Sequence, residues 1–300
     1  MSRSFLARTR LGAVVVALIA SLAGTGSSSA APPAAQAVPS PFTFVSELDL
    51  ECFRTAPYVP PFSGAIVTRH LNPVLAQLPT ETHTLGPREQ LCVPVAKNGR
   101  IPPAGVLDFI RFVDLSCYRI QGQTVNFPLT LRHLNPLLTG LPQTGTTLVT
   151  PEHLCVPVIK NNLMPPADVF NLVRYIDLKC YRVANQTPLN IQLNLRQLNP
   201  VLGGLQPANV GVLNARQLCV PVQKNNQPIP ADVLNVVRWV DLQKYDITGH
   251  VLAAPVNLVL RHINPLFANL PQEPVTIQAA VQLGLPVMKN NAVPPTSPAG

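Results

Sequence analysis

The sequence is poor in charge. Only 12% of its 300 residues are charged, whereas 47% are hydrophobic. The basic residues are spread along the chain, and no run of Lys or Arg occurs. Proteins that bind nucleic acids concentrate positive charge in patches or runs, so no nucleic-acid partner is indicated. After residue 37 no apolar segment reaches the roughly 20 residues of a transmembrane helix, and we expect the mature chain to be soluble and to have no membrane partner.

The sequence also lacks the motifs of common catalytic and metal sites. It contains no G-x-S-x-G, H-E-x-x-H, phosphate-loop or dinucleotide-binding pattern. Its cysteines form no C-x2-C pair, and no histidine recurs at a zinc-ligand spacing from them. Three equivalent cysteine pairs do not resemble one activated nucleophile. We therefore predict no catalytic residue, no metal site and no cofactor.

What the sequence does contain is one segment written four times. The third copy includes IDLKCYRV, LNLRQLNPVL and RQLCVPVQKNN, between Ile176 and Asn226. The asparagine of the Asn-Pro pair lies at positions 72, 135, 199 and 264. This nearly constant spacing between equivalent residues predicts a tandem array in which neighbouring units touch. We place the four repeat modules at residues 38–100, 101–163, 164–227 and 228–291, followed by a disordered tail at 292–300.

The first 37 residues resemble a secretory signal peptide. Arg3, Arg8 and Arg10 precede a 13-residue apolar stretch, Leu11–Ala23, which is short for a membrane span. Small residues follow, and cleavage is expected after Ala30 or Ala37. Removal of residues 1–37 lowers the net charge from +8 to +5. The sequence therefore predicts a secreted, extracellular protein.

The six cysteines occur as two per repeat in the first three repeats. In the fourth repeat both equivalent positions are changed together, to Lys244 and Gly284. Paired loss is the expected consequence of a bond within each repeat, and an exported chain meets oxidising conditions. The predicted disulfides are Cys52–Cys92, Cys117–Cys155 and Cys180–Cys219.

The hydrophobic patterns predict a mainly β fold with short helices, of the α+β class. In the third repeat, strands are expected at 176–183, 188–198 and 210–222, with Asn199-Pro200 starting a helical turn. Lys-Asn-Asn at 224–226 predicts a turn, because asparagine tolerates left-handed backbone. Val233, Val236, Val237 and Val240 have the spacing of one helix face. The fourth repeat has no such segment after it, and we expect it to depend on the third repeat.

An aspartate and an arginine recur in every repeat. We predict one structural ion pair per repeat between strands, formed by Asp49 and Arg69, Asp114 and Arg132, Asp177 and Arg196, and Asp241 and Arg261. The alternative is a row of arginines that binds an anionic polymer. A histidine recurs as His70, His133 and His262, and Gln197 occupies the equivalent position in the third repeat. This replacement favours a hydrogen-bonding, structural role over catalysis.

The CY[KR] phrase and the LCVPVxKN phrase resemble those of a family of exported bacterial repeat proteins that has no assigned function. The resemblance covers roughly residues 44–291. It implies secretion and β-rich modules, and it supplies no catalytic residue.

Three classes of function remain open. Near-identical units favour a secreted non-catalytic protein with a structural or binding role, whose partner is an unknown surface polymer or protein, since arrays gain avidity from repeated contacts. The alternatives are a secreted hydrolase, for which no repeat shows a nucleophile and base, and an enzyme inhibitor, for which no reactive loop is evident.

Overall fold

The structure, a computed structural model, describes residues 38–297. The predicted signal peptide and its cleavage sites lie outside the described residues. Strands dominate, with four short helices and three disulfides, so the expected mainly β class is confirmed. No helix of the described region is long and apolar enough to cross a membrane.

The elements recur with the period of the sequence. The helices are α1 (Pro41–Ser46), α2 (Ala104–Ile110), α3 (Ala167–Val173) and α4 (Ala231–Val237). The strands of the first two repeats are β1 (Leu50–Tyr58), β2 (Ile66–His70), β3 (Glu81–His83), β4 (Arg88–Lys97), β5 (Leu115–Arg119), β6 (Phe127–His133) and β7 (Thr144–Lys160). Those of the last two are β8 (Leu178–Val183), β9 (Pro188–Gln197), β10 (Ala208–Lys224), β11 (Leu242–Thr248), β12 (Val251–His262) and β13 (Glu273–Lys289).

The first and last strands of the repeats form a closed antiparallel barrel of eight strands. The pairs around the barrel are β1–β4, β4–β5, β5–β7, β7–β8, β8–β10, β10–β11, β11–β13 and β13–β1. The last pair, in which Leu50 faces Gly284, closes the ring. Closure leaves the barrel without an exposed strand edge. The fourth repeat contacts the third, as expected, but it also pairs with the first and is therefore not the end unit of an open array.

The four helices form a second ring at one end of the barrel. α1 contacts α2 and α4, and α3 contacts α2 and α4. Their predicted apolar faces are buried, for example Val233, Val236 and Val237, and this packing offsets the low helix propensity of valine. Residues of the helices share one apolar core with the barrel interior.

Within residues 38–297 no helix follows the fourth repeat, and α1 from the N-terminal part of the chain lies in the equivalent place. The Phe42 N–H donates to the Pro295 carbonyl at 2.9 Å. This bond repeats those from Leu107 to Pro103, from Phe170 to Pro166 and from Leu234 to Pro230 at the starts of α2, α3 and α4. α1 therefore takes the place that follows the fourth repeat, which is a second reason why this repeat is not a free end.

Four of the five remaining strands connect repeats on opposite sides of the barrel, and β3 pairs with β2 of its own repeat. β2 pairs with β10, β6 with β13, β9 with β4, and β12 with β7. They enclose the largest apolar core, which lies outside the barrel wall and includes residues of all four repeats. The repeats thus share cores and do not have one each.

The predicted turns of the third repeat are confirmed. Asn199 caps a short 3-10 helix, Pro200–Leu202, by accepting a hydrogen bond from the Val201 N–H at 2.9 Å. Asn225 and Asn226 have positive φ angles of 46° and 50°, which few side chains other than asparagine tolerate.

Candidate functional site

The barrel interior consists of stacked layers, because alternate residues of each strand point inward. Nearest the helices is a leucine layer, formed by Leu50, Leu115, Leu178 and Leu242. The half-cystines form the next layer. Each repeat contributes one sector of this layer, and in the sector of the fourth repeat Lys244 and Gly284 take the place of the two half-cystines. Beyond them, away from the helices, the strands carry polar residues. We call that open end of the barrel the mouth.

The disulfides are the expected ones, Cys52–Cys92, Cys117–Cys155 and Cys180–Cys219. Each joins directly opposed residues of the first and last strands of one repeat. Neighbouring disulfides also touch, since the sulfurs of Cys92 and Cys117 lie 3.7 Å apart. All six sulfur atoms belong to the buried core, so the disulfides serve the barrel and are not part of an exposed site.

The predicted ion pairs involve the correct aspartates but the wrong cations. Buried ion pairs join Asp49 with Lys97, Asp114 with Lys160, Asp177 with Lys224, and Asp241 with Lys289. An asparagine from the next repeat donates to each aspartate; for example, Asn199 Nδ2 lies 2.7 Å from Asp114 Oδ2. The other three such pairs are Asn72 with Asp241, Asn135 with Asp49, and Asn264 with Asp177. Every repeat is thus locked to its neighbour by one buried Asp–Lys–Asn cluster.

The recurrent arginines lie on the outside of the barrel. Arg69, Arg132 and Arg196 are exposed and Arg261 is half-buried. The alternation of side chains along a strand explains why these arginines do not reach the buried aspartates. On β6, for example, the exposed Arg132 lies between the buried residues Leu131 and His133. A strand that buries one residue exposes the next.

The recurrent histidines form hydrogen bonds with buried tyrosines. His70 shares a hydrogen bond with Tyr181 at 2.9 Å, His133 with Tyr245 at 3.1 Å, and His262 with Tyr118 at 3.0 Å. Burial lowers the pKa of His70 to about 3 and that of His133 to about 4, so these rings are neutral at physiological pH. Where the histidine is Gln197, its amide donates instead to Glu51 at 2.6 Å.

The mouth is a polar concavity. Its cavity of about 680 Å³ is lined mainly by charged and amide side chains, and an adjoining cavity of about 470 Å³ shares Glu89, Arg216 and Gln282 with it. Three repeat positions build the mouth. The rim comprises Arg54, Arg119, Arg182 and Asp246, alternating with Glu89, Glu152, Arg216 and Val281. The layer below comprises Gln90, His153, Gln217 and Gln282.

All three mouth carboxylates are engaged by neighbouring side chains. His153 Nε2 lies 2.8 Å from Glu89 Oε2, and this hydrogen bond is the main reason that the pKa of Glu89 is lowered. Gln217 donates to Glu152 at 2.6 Å, and Arg216 lies 3.4 Å from Asp246. Carboxylates held in this way fix the positions of the surrounding side chains.

The four-fold pattern breaks down in one sector of the mouth. In the fourth repeat, Lys244 and Gly284 replace the two cysteines of the other three repeats. At the rim, Asp246 replaces an arginine and Val281 replaces a charged residue. Arg54 follows in the ring, and among the described residues it has no carboxylate partner, because Val281 stands where a glutamate would pair with it. An exposed arginine and a buried lysine therefore share the sector that departs from symmetry.

Lys244 is the residue that sequence reasoning missed. Its side chain is buried, and Nζ donates to Gln90 Oε1 in the layer just below the rim. Burial lowers the pKa of Lys244 to about 7, and the more distant carboxylates Glu152, Asp246 and Glu89 offset this only in part. A signal for this site was visible in the sequence, since all four departures fall on positions that the other repeats keep similar.

No group of three or more metal-ligating side chains is found among residues 38–297. Comparison with family models, with curated proteins and with solved structures finds no match to the chain.

Proposed function

We propose that this protein is a secreted, non-catalytic binding protein that holds an anionic group of a surface polymer in the mouth of its barrel. The observation that supports the proposal is the arginine-rich rim around a concave polar cavity. Four arginines of the rim face three carboxylates, and Arg54 keeps its charge available for a ligand. The three disulfides are compatible with an extracellular location.

The barrel framework favours a binding site that is formed before the ligand arrives. The strands that carry the rim belong to a closed barrel whose wall is cross-linked by disulfides. A site built on such strands keeps its side chains in place before the ligand arrives, which lowers the entropic cost of binding. Arginine suits this task because its planar guanidinium binds carboxylate or phosphate through two parallel hydrogen bonds.

The test compares the same substitution at two exposed arginines, one on the rim of the mouth and one on the outer surface. Arg54→Gln removes one rim charge, and Arg132→Gln removes one exposed charge from the outer wall. Binding of mature protein to anionic envelope polymers, and to an oligogalacturonate as a defined probe, is measured by pull-down and by calorimetry. We expect Arg54→Gln to weaken binding about tenfold, the equivalent of one charge-assisted hydrogen bond.

The control is expected to bind like the wild-type protein. Equal loss in both variants would show only a general dependence on charge and would count against the mouth. Weaker binding in Arg132→Gln alone would instead support the alternative in which a row of outer arginines binds the polymer.

A further inference from the structure

The six lysines of the sequence are all buried, and five of them form ion pairs. The carboxylate partners of Lys97, Lys160, Lys224 and Lys289 are the recurrent aspartates, and that of Lys179 is Glu81. Within residues 38–297 no carboxylate lies within ion-pair distance of Lys244. Its partner is the neutral side chain of Gln90.

The position of Lys244 connects it with the mouth. In the β11–β13 ladder it faces Gly284, which has no side chain to fill the space that a second half-cystine takes in the other repeats. Above it, Gln90 donates to Gln282 at 2.9 Å, and both amides line the cavity that contains Arg54. One layer of two glutamine side chains thus separates the amine from the ligand cavity.

The environment of Lys244 favours the neutral amine. With a pKa near 7, about half of the molecules carry an unprotonated Nζ at neutral pH, whereas an ordinary lysine is almost fully protonated there. An unprotonated amine that is desolvated beside a polar cavity is the nucleophile that proteins use to form imines with carbonyl compounds.

We propose that Lys244 captures the carbonyl group of a carboxylate-bearing aldehyde or ketone as a reversible imine. The inference rests on the proposed function, since Arg54 and Arg216 hold the carboxylate of the ligand. The Nζ lone pair attacks the carbonyl carbon while the C=O π electrons move to oxygen. A proton passes from nitrogen to that oxygen and gives a carbinolamine. Loss of a second proton from nitrogen and departure of the protonated hydroxyl as water then form the C=N bond, without oxidation or reduction.

The experiment is reductive trapping on the mature, disulfide-bonded protein. Glyoxylate represents the free oxo-acids, and digalacturonate represents the reducing end of an acidic polymer. After borohydride treatment, peptide mapping locates the added mass. We expect modification at Lys244 and at the N-terminal amine, with Lys160 as the internal control that stays unmodified. Trapping at pH 5 should be about 50-fold slower than at pH 7, because protonation removes the nucleophile.

The variants separate this inference from the proposed function. Gln90→Ala opens the glutamine layer and should accelerate trapping, and Arg54→Gln should slow it. Binding of glycolate, which has the carboxylate and no reactive carbonyl, is measured in parallel. If glycolate binds in an Arg54-dependent way and Lys244 is not trapped, the imine is refuted and the binding function stands. If neither occurs, both are refuted. Equal modification of all six lysines would also overturn the inference.

Discussion

The buried Asp114–Lys160 pair gives the sharpest test of how the repeats are held together. Both side chains are almost inaccessible to solvent, and among residues 38–297 the only other hydrogen bond to the Asp114 carboxylate comes from Asn199. Lys160→Met keeps a side chain of similar length and removes the charge, so that the carboxylate stays buried without its cation. Breaking one side of a buried pair costs about 3–5 kcal/mol, and we expect the free energy of unfolding to fall by that amount.

Arg132→Ala is the matched comparison, because this arginine lies in the same repeat and is exposed. An exposed substitution away from special features changes stability by about 0.5 kcal/mol or less. Denaturant unfolding with the disulfides intact, followed through the single tryptophan, Trp239, measures both variants. Combining each variant with Asp114→Asn completes two double-mutant cycles.

The two cycles should differ clearly. Asp114 and Lys160 share one interaction, so their effects should be non-additive by about 0.5–3 kcal/mol, whereas those of Asp114 and Arg132 should add. Strong coupling between Asp114 and Arg132, with none between Asp114 and Lys160, would refute the geometry described above and restore the pairing expected from the sequence.

Three further predictions concern pH and the closure of the ring. Lys244→Met should stabilise the protein most below pH 7, where the folded state carries the full penalty of a buried charge. The advantage should shrink by about 1.4 kcal/mol per pH unit as the pH rises from 7.5 to 9.5, which unfolding at several pH values measures. His70 and His133 have lowered folded-state pKa values, so stability should be lost as the pH falls from about 6.5 toward 4, and His133→Gln should flatten that part of the curve. Hydrogen exchange should show β11 and β13 protected as well as β5 and β7; early opening of the fourth repeat alone would contradict a closed barrel.

Local structure could be predicted from the sequence because it depends on neighbouring residues. The alternation around Cys180, the Asn199-Pro200 start and the valine spacing of α4 are local signals, and each agrees with the structure to within a few residues. The pairing of the cysteines could also be predicted, because the fourth repeat had lost both partners together.

The partners of the recurrent aspartates could not be deduced in the same way. Lysine and arginine both recur in every repeat, and composition does not decide which cation meets Asp114. The decision depends on which face of a strand is buried: Lys160 has an inaccessible side chain at the end of β7, whereas Arg132 points outward from β6. That orientation is set by the neighbouring strands, and those strands belong to other repeats.

Ring closure is the least local feature and explains why the fourth repeat was misjudged. An open array predicts a weakly stabilised end unit, and the loss of both cysteines from the fourth repeat then suggests that this repeat is degenerate. In a closed ring the same unit is held on both sides, by β10 and by β1, and it needs its own disulfide less. The change from a cysteine pair to Lys244 and Gly284 can therefore be tolerated, and it introduces a buried amine beneath the mouth at the position where symmetry would have placed another disulfide. Natural proteins commonly accept a loss of stability at functional sites, and the sector that departs most from the repeat is for that reason the sector in which we place the function.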